Sequence, residues 1–371
     1  MLSRIKPFIK GYVRYAYLRQ ASDYRRALDT QRLQLRYVGW LGHKNAGDEI
    51  LFEAFRQELF NDCLLMPYHD YSVLSAIALR RRNTAVVLGG GTLINDRGHL
   101  APLEKACRDG RPYFVFGTGV SDPDYWSKFP KARHIDVEGW SRMLAAAQYV
   151  GVRGPRSCAW LHAHGVARAE VIGDPALSIA LPSKTAAPSG PPVLGINLGA
   201  HDPILGEEGA DFSAVLALIR TVIARGWRVK YLAMHPIDQR IGMELKRAVQ
   251  HPDFHLPSFS SDSNTLLRDI ASCKSIVGER LHMTVLACAL SVPNISLSYQ
   301  PKCLDFLESI GRADLAVKTD EVTGEVLIER FDWVQERLEE VSDQIRVRCD
   351  ALRSLQHRRA REIVAALRTQ A

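Results

Sequence analysis

The residues with the most chemical potential lie between 275 and 311, where the apolar run Ser275-Ile276-Val277 passes through Gly278-Glu279 into Arg280-Leu281-His282 and an apolar helix. A helix that starts directly after a parallel strand points unpaired N–H groups and the positive end of its dipole at whatever binds beyond the sheet's carboxyl edge. An anion suits such a place. Arg280 adds a planar cation able to hold a carboxylate or phosphate through two oxygens, and His282 adds a proton that moves near neutral pH. The plainer alternative is an Arg280 paired with a structural acid and a His282 packed in the core.

G-x-R-L-H, then Val292-Pro293, then Tyr299-x-x-Lys302-x-x-Asp305-Phe306 resembles the carboxyl-terminal signature of the polysaccharide pyruvyl transferase family. Further segments are similar to that family's other motifs and come in its order: Gly42-His43-Lys44-Asn45-Ala46-Gly47-Asp48-Glu49, Gly89-Gly90-Gly91-Thr92-Leu93, Val152-Arg153-x-x-x-Ser157 and Gly173-Asp174-Pro175-Ala176. Gly154 departs from the pattern, which commonly has an acid after the arginine. The resemblance implies transfer of the enolpyruvyl carbons of phosphoenolpyruvate onto two hydroxyls of a sugar in a cell-envelope or exopolysaccharide glycan, giving a cyclic pyruvate ketal and phosphate.

That chemistry needs an acid for the enol carbon, cations for carboxylate and phosphate, and a base for the acceptor hydroxyl. The resemblance implies donor-binding roles for Arg153, Arg280, Leu281 and His282, with His282 the candidate acid. Lys302 is a further candidate for the phosphate. His43, Asn45, Asp48 and Asn95 are expected on the acceptor side, and Asp96, beyond the triple-glycine turn, is the candidate base. Asp48 has the alternative role of a helix N-cap, and Asp174 that of a turn residue before Pro175. Phosphoenolpyruvate enters as co-substrate, and no cofactor or metal is expected.

These motifs need elements to hold them. From residue 35 short apolar runs alternate with amphipathic stretches, the pattern of α/β proteins. Leu35–Trp40, Thr84–Leu88, Tyr113–Phe116 and Tyr149–Val152 read as strands, each leading to a glycine- or arginine-bearing turn and then a helix. Leu181–Pro192 reads as an interdomain linker. A second series follows from Val193–Asn197. The expected organisation is a basic arm over 1–34, an acceptor domain over 35–180, a donor domain over 193–320 and a helical segment over 321–371. The fold class is α/β, two Rossmann-like domains facing across a cleft, called GT-B-like. The last segment, with an apolar stripe from Ile328 to Val341, is expected to return and brace the first domain.

The chain has 371 residues and a formal net charge of +7. Residues 1–36 hold nine Lys or Arg against Asp23 and Asp29, so the remainder is balanced. Apolar residues from Ile5 to Tyr17 recur at helical spacing among these cations, which points to an anionic membrane surface or to a helix docked on the protein itself. No basic stripe elsewhere is interleaved with aromatics, so nucleic acid is not an expected partner. Seven scattered cysteines without a C-x-x-C pair, and no long apolar run, argue for a reducing cytoplasm, with the membrane's inner face reached through the arm.

His162-Ala163-His164 is spaced wrongly for one helical face, and zinc-hydrolase, P-loop and G-x-S-x-G patterns are missing. Two rival readings stay open. One is a nucleotide-sugar glycosyltransferase on the same plan, with Glu279 as the acid for a ribose. The other is a non-catalytic glycan-binding or scaffold subunit of an envelope assembly complex; for the transferase itself the expected acceptor is a glycan or lipid-linked oligosaccharide.

Overall fold

The computed structural model describes residues 32–68, 84–95, 97–127, 135–182, 190–199 and 212–370. Asp96, the expected base, and all of the basic arm up to residue 31 lie outside the described residues.

The chain forms two parallel sheets. The first holds seven strands: β1 (Gln34–Val38), β2 (Leu64–Pro67), β3 (Thr84–Leu88), β4 (Gly91–Ile94), β5 (Tyr113–Val120), β6 (Val150–Val152) and β7 (Glu170–Val171). Their order is β2-β1-β3-β5-β6-β7, with β4 paired to β5. The second holds β8 (Val193–Asn197), β9 (Arg228–Tyr231), β10 (Phe254–His255), β11 (Ser275–Gly278), β12 (Asn294–Ser298) and β13 (Ala316–Lys318), in the order β10-β9-β8-β11-β12-β13. Counted from β8 that is 3-2-1-4-5-6, the doubly wound order of dinucleotide-binding sheets.

The central strands are buried on both faces, which is why they read as unbroken apolar runs. Two local expectations need correcting. Gly117-Thr118-Gly119 is not a turn: β5 runs through it, with a register shift between Phe116 and Thr118. The Gly89–Gly91 turn leads not to a helix but to β4, whose Leu93 N–H bonds to Thr118 Oγ1 at 3.1 Å.

In each sheet the strand order reverses once, between β1 and β3 and between β8 and β11, and at those points the carboxyl-end loops diverge and open a crevice. The 32-residue helix Leu338–Thr369 comes back from the second sheet to the first, as the charged carboxyl-terminal sequence led one to expect. Its buried Gln356 donates to Ile172 O and Asp174 O at 2.8 and 3.0 Å, and Arg359 pairs with Glu170. No described helix is long and apolar enough to cross a membrane.

Candidate active site

The two crevices face one another and enclose a cavity of about 320 Å³. From the first sheet come Trp40, Asn45, Asp48, Thr92, Asn95 and His99; from the second come Met234, Arg280, Leu281, His282, Tyr299 and Lys302. Most sequence-predicted residues therefore meet across the cleft.

His282 opens the helix Leu281–Ala289, which has no side-chain cap at its start. Its ring is pressed against Gly47, where a β-carbon would fall on His282 Cβ and Nδ1, so only glycine lets the opposing helix, Ala46–Ala54, approach so closely. His282 Nε2 is buried without a hydrogen-bond partner and lies 4.0 Å from Asp174 Oδ2, which is also buried and without a partner. Two such groups, each costly alone, face each other at a distance that small shifts on ligand binding would close. Asp174 is thus more than a turn residue. Its Oδ1 accepts from Ala176 N at 3.0 Å, and its Oδ2 is aimed at the histidine.

Arg280 is the N-cap of that helix and lines the cavity, but its fork is engaged elsewhere: Nε and Nη2 donate to Asp238 Oδ2 and Oδ1 at 3.0 and 2.6 Å. The expected two-oxygen grip on a donor through that edge is therefore corrected; Arg280 offers positive charge to the cavity while Asp238 fixes its direction. Asp238 is fully buried and also accepts from Met234 N and His235 N. Those residues tie the domains together, because Ala46 N donates to Met234 O at 2.8 Å and His235 Nε2 is 3.0 Å from His43 O.

Arg153 is a second correction. Its side chain is 0% exposed and does not reach the cavity. Nη1 donates to Gly91 O at 3.1 Å, and Nη2 lies 3.7 Å from Asp305 Oδ2 in the other domain. The same Asp305 accepts from Arg156 N, Ser157 N and Ser157 Oγ at 2.9, 3.2 and 2.6 Å, capping the helix Pro155–Ala163 from across the cleft. This explains Gly154: a β-carbon there would fall on the Asp305 carbonyl and carboxylate, so the acid that pairs with Arg153 arrives from the second domain instead.

On the first domain Asn45, not Asp48, is the N-cap, accepting from Gly47 N at 3.1 Å. Asp48 in the first helical turn lines the cavity. Burial pushes its carboxyl above the usual range, the charge of Asp174 adds to this, and His282, Lys302 and Arg280 oppose it. Lys302 places its ammonium 4.8 Å from the centre of the Tyr299 ring. Asn95 Nδ2 donates to Thr92 O at 2.9 Å, which turns Asn95 Oδ1 toward His99 Nδ1, also at 2.9 Å. His99 therefore donates from Nδ1, and Asn95 positions it. His43 stays out of the cavity wall and stacks on Trp40, with ring centres 3.9 Å apart and planes 8° apart.

The sequence reading missed Trp40, His99, Tyr299 as a lining residue, and Asp238. His99 comes eight residues after the triple-glycine motif, beyond β4 in the first turn of the next helix, and was open to inference; Asp238 carried no signal.

Comparison with known proteins fits this constellation. Residues 45–301 match the polysaccharide pyruvyl transferase family. The chain belongs to that family. An alignment of 138 positions, covering 34% of this chain and 33% of the other, is 22% identical to the amylovoran biosynthesis protein AmsJ of Erwinia amylovora; the match spans about a third of that relative's length. Among solved structures, S. aureus MnaA with UDP has a TM-score of 0.57 at 13% identity over 85% of this chain and 90% of that one. The UDP-GlcNAc 2-epimerase of Neisseria meningitidis bound to UDP-GlcNAc has 0.54 at 12% over 91% and 99%. At such identities the likeness concerns the fold alone: two Rossmann-like domains about a cleft. Within the pyruvyl transferase family's motifs, the R-L-H and K positions line the cavity here and the R-x-x-x-S positions form the domain junction.

Proposed function

We propose that this transferase moves the pyruvyl group of phosphoenolpyruvate onto two hydroxyls of a sugar in an envelope or exopolysaccharide glycan, forming a ketal and releasing phosphate. The observation that carries the reading is His282 at an uncapped helix start, lining one cavity with Arg280 and Lys302 and backed by the buried Asp174 carboxylate. A small, highly anionic donor with a carbon to be protonated fits that set. Arg280, Lys302 and the helix N–H groups offset its charge.

His282, oriented by Asp174, gives a proton to the enol CH₂, which becomes a methyl group and leaves an oxocarbenium-like carbon. A sugar hydroxyl attacks that carbon and passes its proton to Asp48, whose raised basicity suits the task. The second hydroxyl then displaces phosphate as the C–O bond to it breaks. The proton taken by Asp48 leaves with phosphate as the carboxylate is regenerated, and that of the second hydroxyl replaces the one given by His282. Asp48 takes the base role in this reading in place of Asp96.

The nucleotide-sugar alternative loses its ribose acid, because Glu279 is buried and its Oε2 accepts from Gly199 N at 2.7 Å. Thermal shift with phosphoenolpyruvate, UDP and GDP in parallel tests the proposal. Stabilisation by phosphoenolpyruvate alone is expected; stabilisation by a nucleotide alone would overturn it.

A further inference from the structure

One wall of the cavity takes no part in the donor chemistry. Trp40 lies there, 48% exposed, on the loop between β1 and the helix Ala46–Ala54. Its pose is set by one stacking partner and by the loop that carries it. One face stacks on His43, whose carbonyl is held by His235 of the second domain. The loop beneath is clamped by Gly42 N donating to Glu49 Oε1 at 2.8 Å, and Lys44 takes a left-handed backbone at φ 61°. A large indole held rigid and half in water, beside buried polar groups, is a prepared surface rather than an incidental one.

We propose that Trp40 is the stacking platform for the acceptor, taking the C–H face of a pyranose ring while the ring's hydroxyls turn toward Asn95, His99 and Asp48. The weakly positive axial C–H bonds of a sugar lie well against the negative face of an aromatic ring, and the indole costs little to order because it is already fixed. His99 stands at the platform's edge, its ring centre 6.5 Å from that of Trp40, and Asn95 sets its orientation. This arrangement selects a ring with one apolar face and rejects open-chain polyols. The inference rests on the pyruvyl transfer reading for its role in turnover, but the stacking itself is measurable without it.

The experiment uses the full chain with methyl glycosides of glucose, galactose and mannose, and sorbitol as the acyclic control. Saturation-transfer NMR should mark C–H protons of one ring face in at least one glycoside, and not sorbitol. Trp40→Ala should lose that signal and Trp40→Phe recover most of it. In steady state with the glycoside that turns over, Trp40→Ala should raise the acceptor KM about tenfold or more, as for loss of an aromatic anchor, with the phosphoenolpyruvate KM within about twofold. Unchanged melting of Trp40→Ala in phosphoenolpyruvate would show that the fold and donor site persist. Saturation that survives Trp40→Ala, no saturation of any glycoside, or an unmoved acceptor KM overturns the platform. Saturation lost in Trp40→Ala, with no phosphoenolpyruvate consumed by the wild type on any glycoside, upholds the platform and overturns the pyruvyl transfer reading.

Discussion

Asp305→Asn tests how the cleft is held shut. The carboxylate is buried and accepts three hydrogen bonds from the first domain, with the fully buried Arg153 guanidinium 3.7 Å away. The amide keeps the shape and one oxygen for the N–H groups of Arg156 and Ser157. It removes the charge that compensates Arg153 and turns donors toward that cation and the Ser157 hydroxyl. Breaking a buried pair from one side costs about 3–5 kcal/mol, because the remaining charge stays desolvated. With an unfolding entropy of about 2.1 cal/mol/K per residue, a chain of 371 residues melting as one unit should lose roughly 4–6 °C. Glu308→Gln is the control one turn away: its pair with Arg156 is at the surface and partly exposed, worth about 1 kcal/mol at most, and should shift the midpoint by about 1 °C. Lys302 and Tyr299 sit at the start of Asp305's helix and should lose register with the first domain, so turnover should fall together with stability. Calorimetry of the two variants against the wild type is the assay. A shift for Asp305→Asn no larger than that for Glu308→Gln would refute the argument that the buried latch holds the domains.

Three further outcomes are expected. His282→Gln should lower the chemical step by about 10²–10⁴, the usual range for losing a general acid, with the thermal shift from phosphoenolpyruvate kept; lost shift at an unchanged single-turnover rate would make His282 a binding residue. Arg280→Lys should destabilise the protein by about 1–2 kcal/mol as well as slow it, since a point cation cannot reproduce the two parallel bonds to buried Asp238; unaltered melting would show that the fork is not structural. Asp48→Asn should abolish most turnover yet stabilise the resting protein at neutral pH. The folded carboxyl binds its proton more tightly than the unfolded one, so ionising it costs stability as pH rises above the ordinary value of 3.8. The variant's advantage in urea midpoint should therefore grow from about pH 4 upward, and an advantage independent of pH would contradict this.

Residues whose role follows from their own turn were legible in the sequence. Arg280, Leu281 and His282 stand directly after an apolar strand, and a parallel strand has its next turn at the carboxyl edge whatever the rest of the chain does. Asn45 and Asp48 could be placed near a helix start for the same reason, though which of them caps depends on where within three residues the helix begins. Arg153 was misread because a strand-end arginine looks alike whether it faces a ligand or a partner acid, and its partner Asp305 lies about 150 residues away in the other domain. Asp238 was hidden for the same reason. The continuation of β5 through Gly117 and Gly119 went unseen because glycine there serves close packing, with Arg153 lying where a side chain at Gly119 would go.

The separation of the motifs along the chain follows from the fold. The cavity groups at 45–48, 95–99, 280–282 and 299–302 each follow a strand, and every strand in both sheets runs parallel, so all of these turns open on the same side of their sheet. Turning the two sheets edge to edge brings them within one cavity without any long loop. Neither half is complete alone. The candidate acid His282 is seated only because Gly47 of the other domain admits its ring, the facing Asp174 comes from the end of the first sheet, and Arg280 is aimed by an aspartate whose neighbours hold the loop before Asn45. Cations and proton donor on one side, candidate base and aromatic wall on the other, are therefore assembled by the same contacts that close the cleft, and a change that loosens the junction should disable the chemistry without touching a group that performs it.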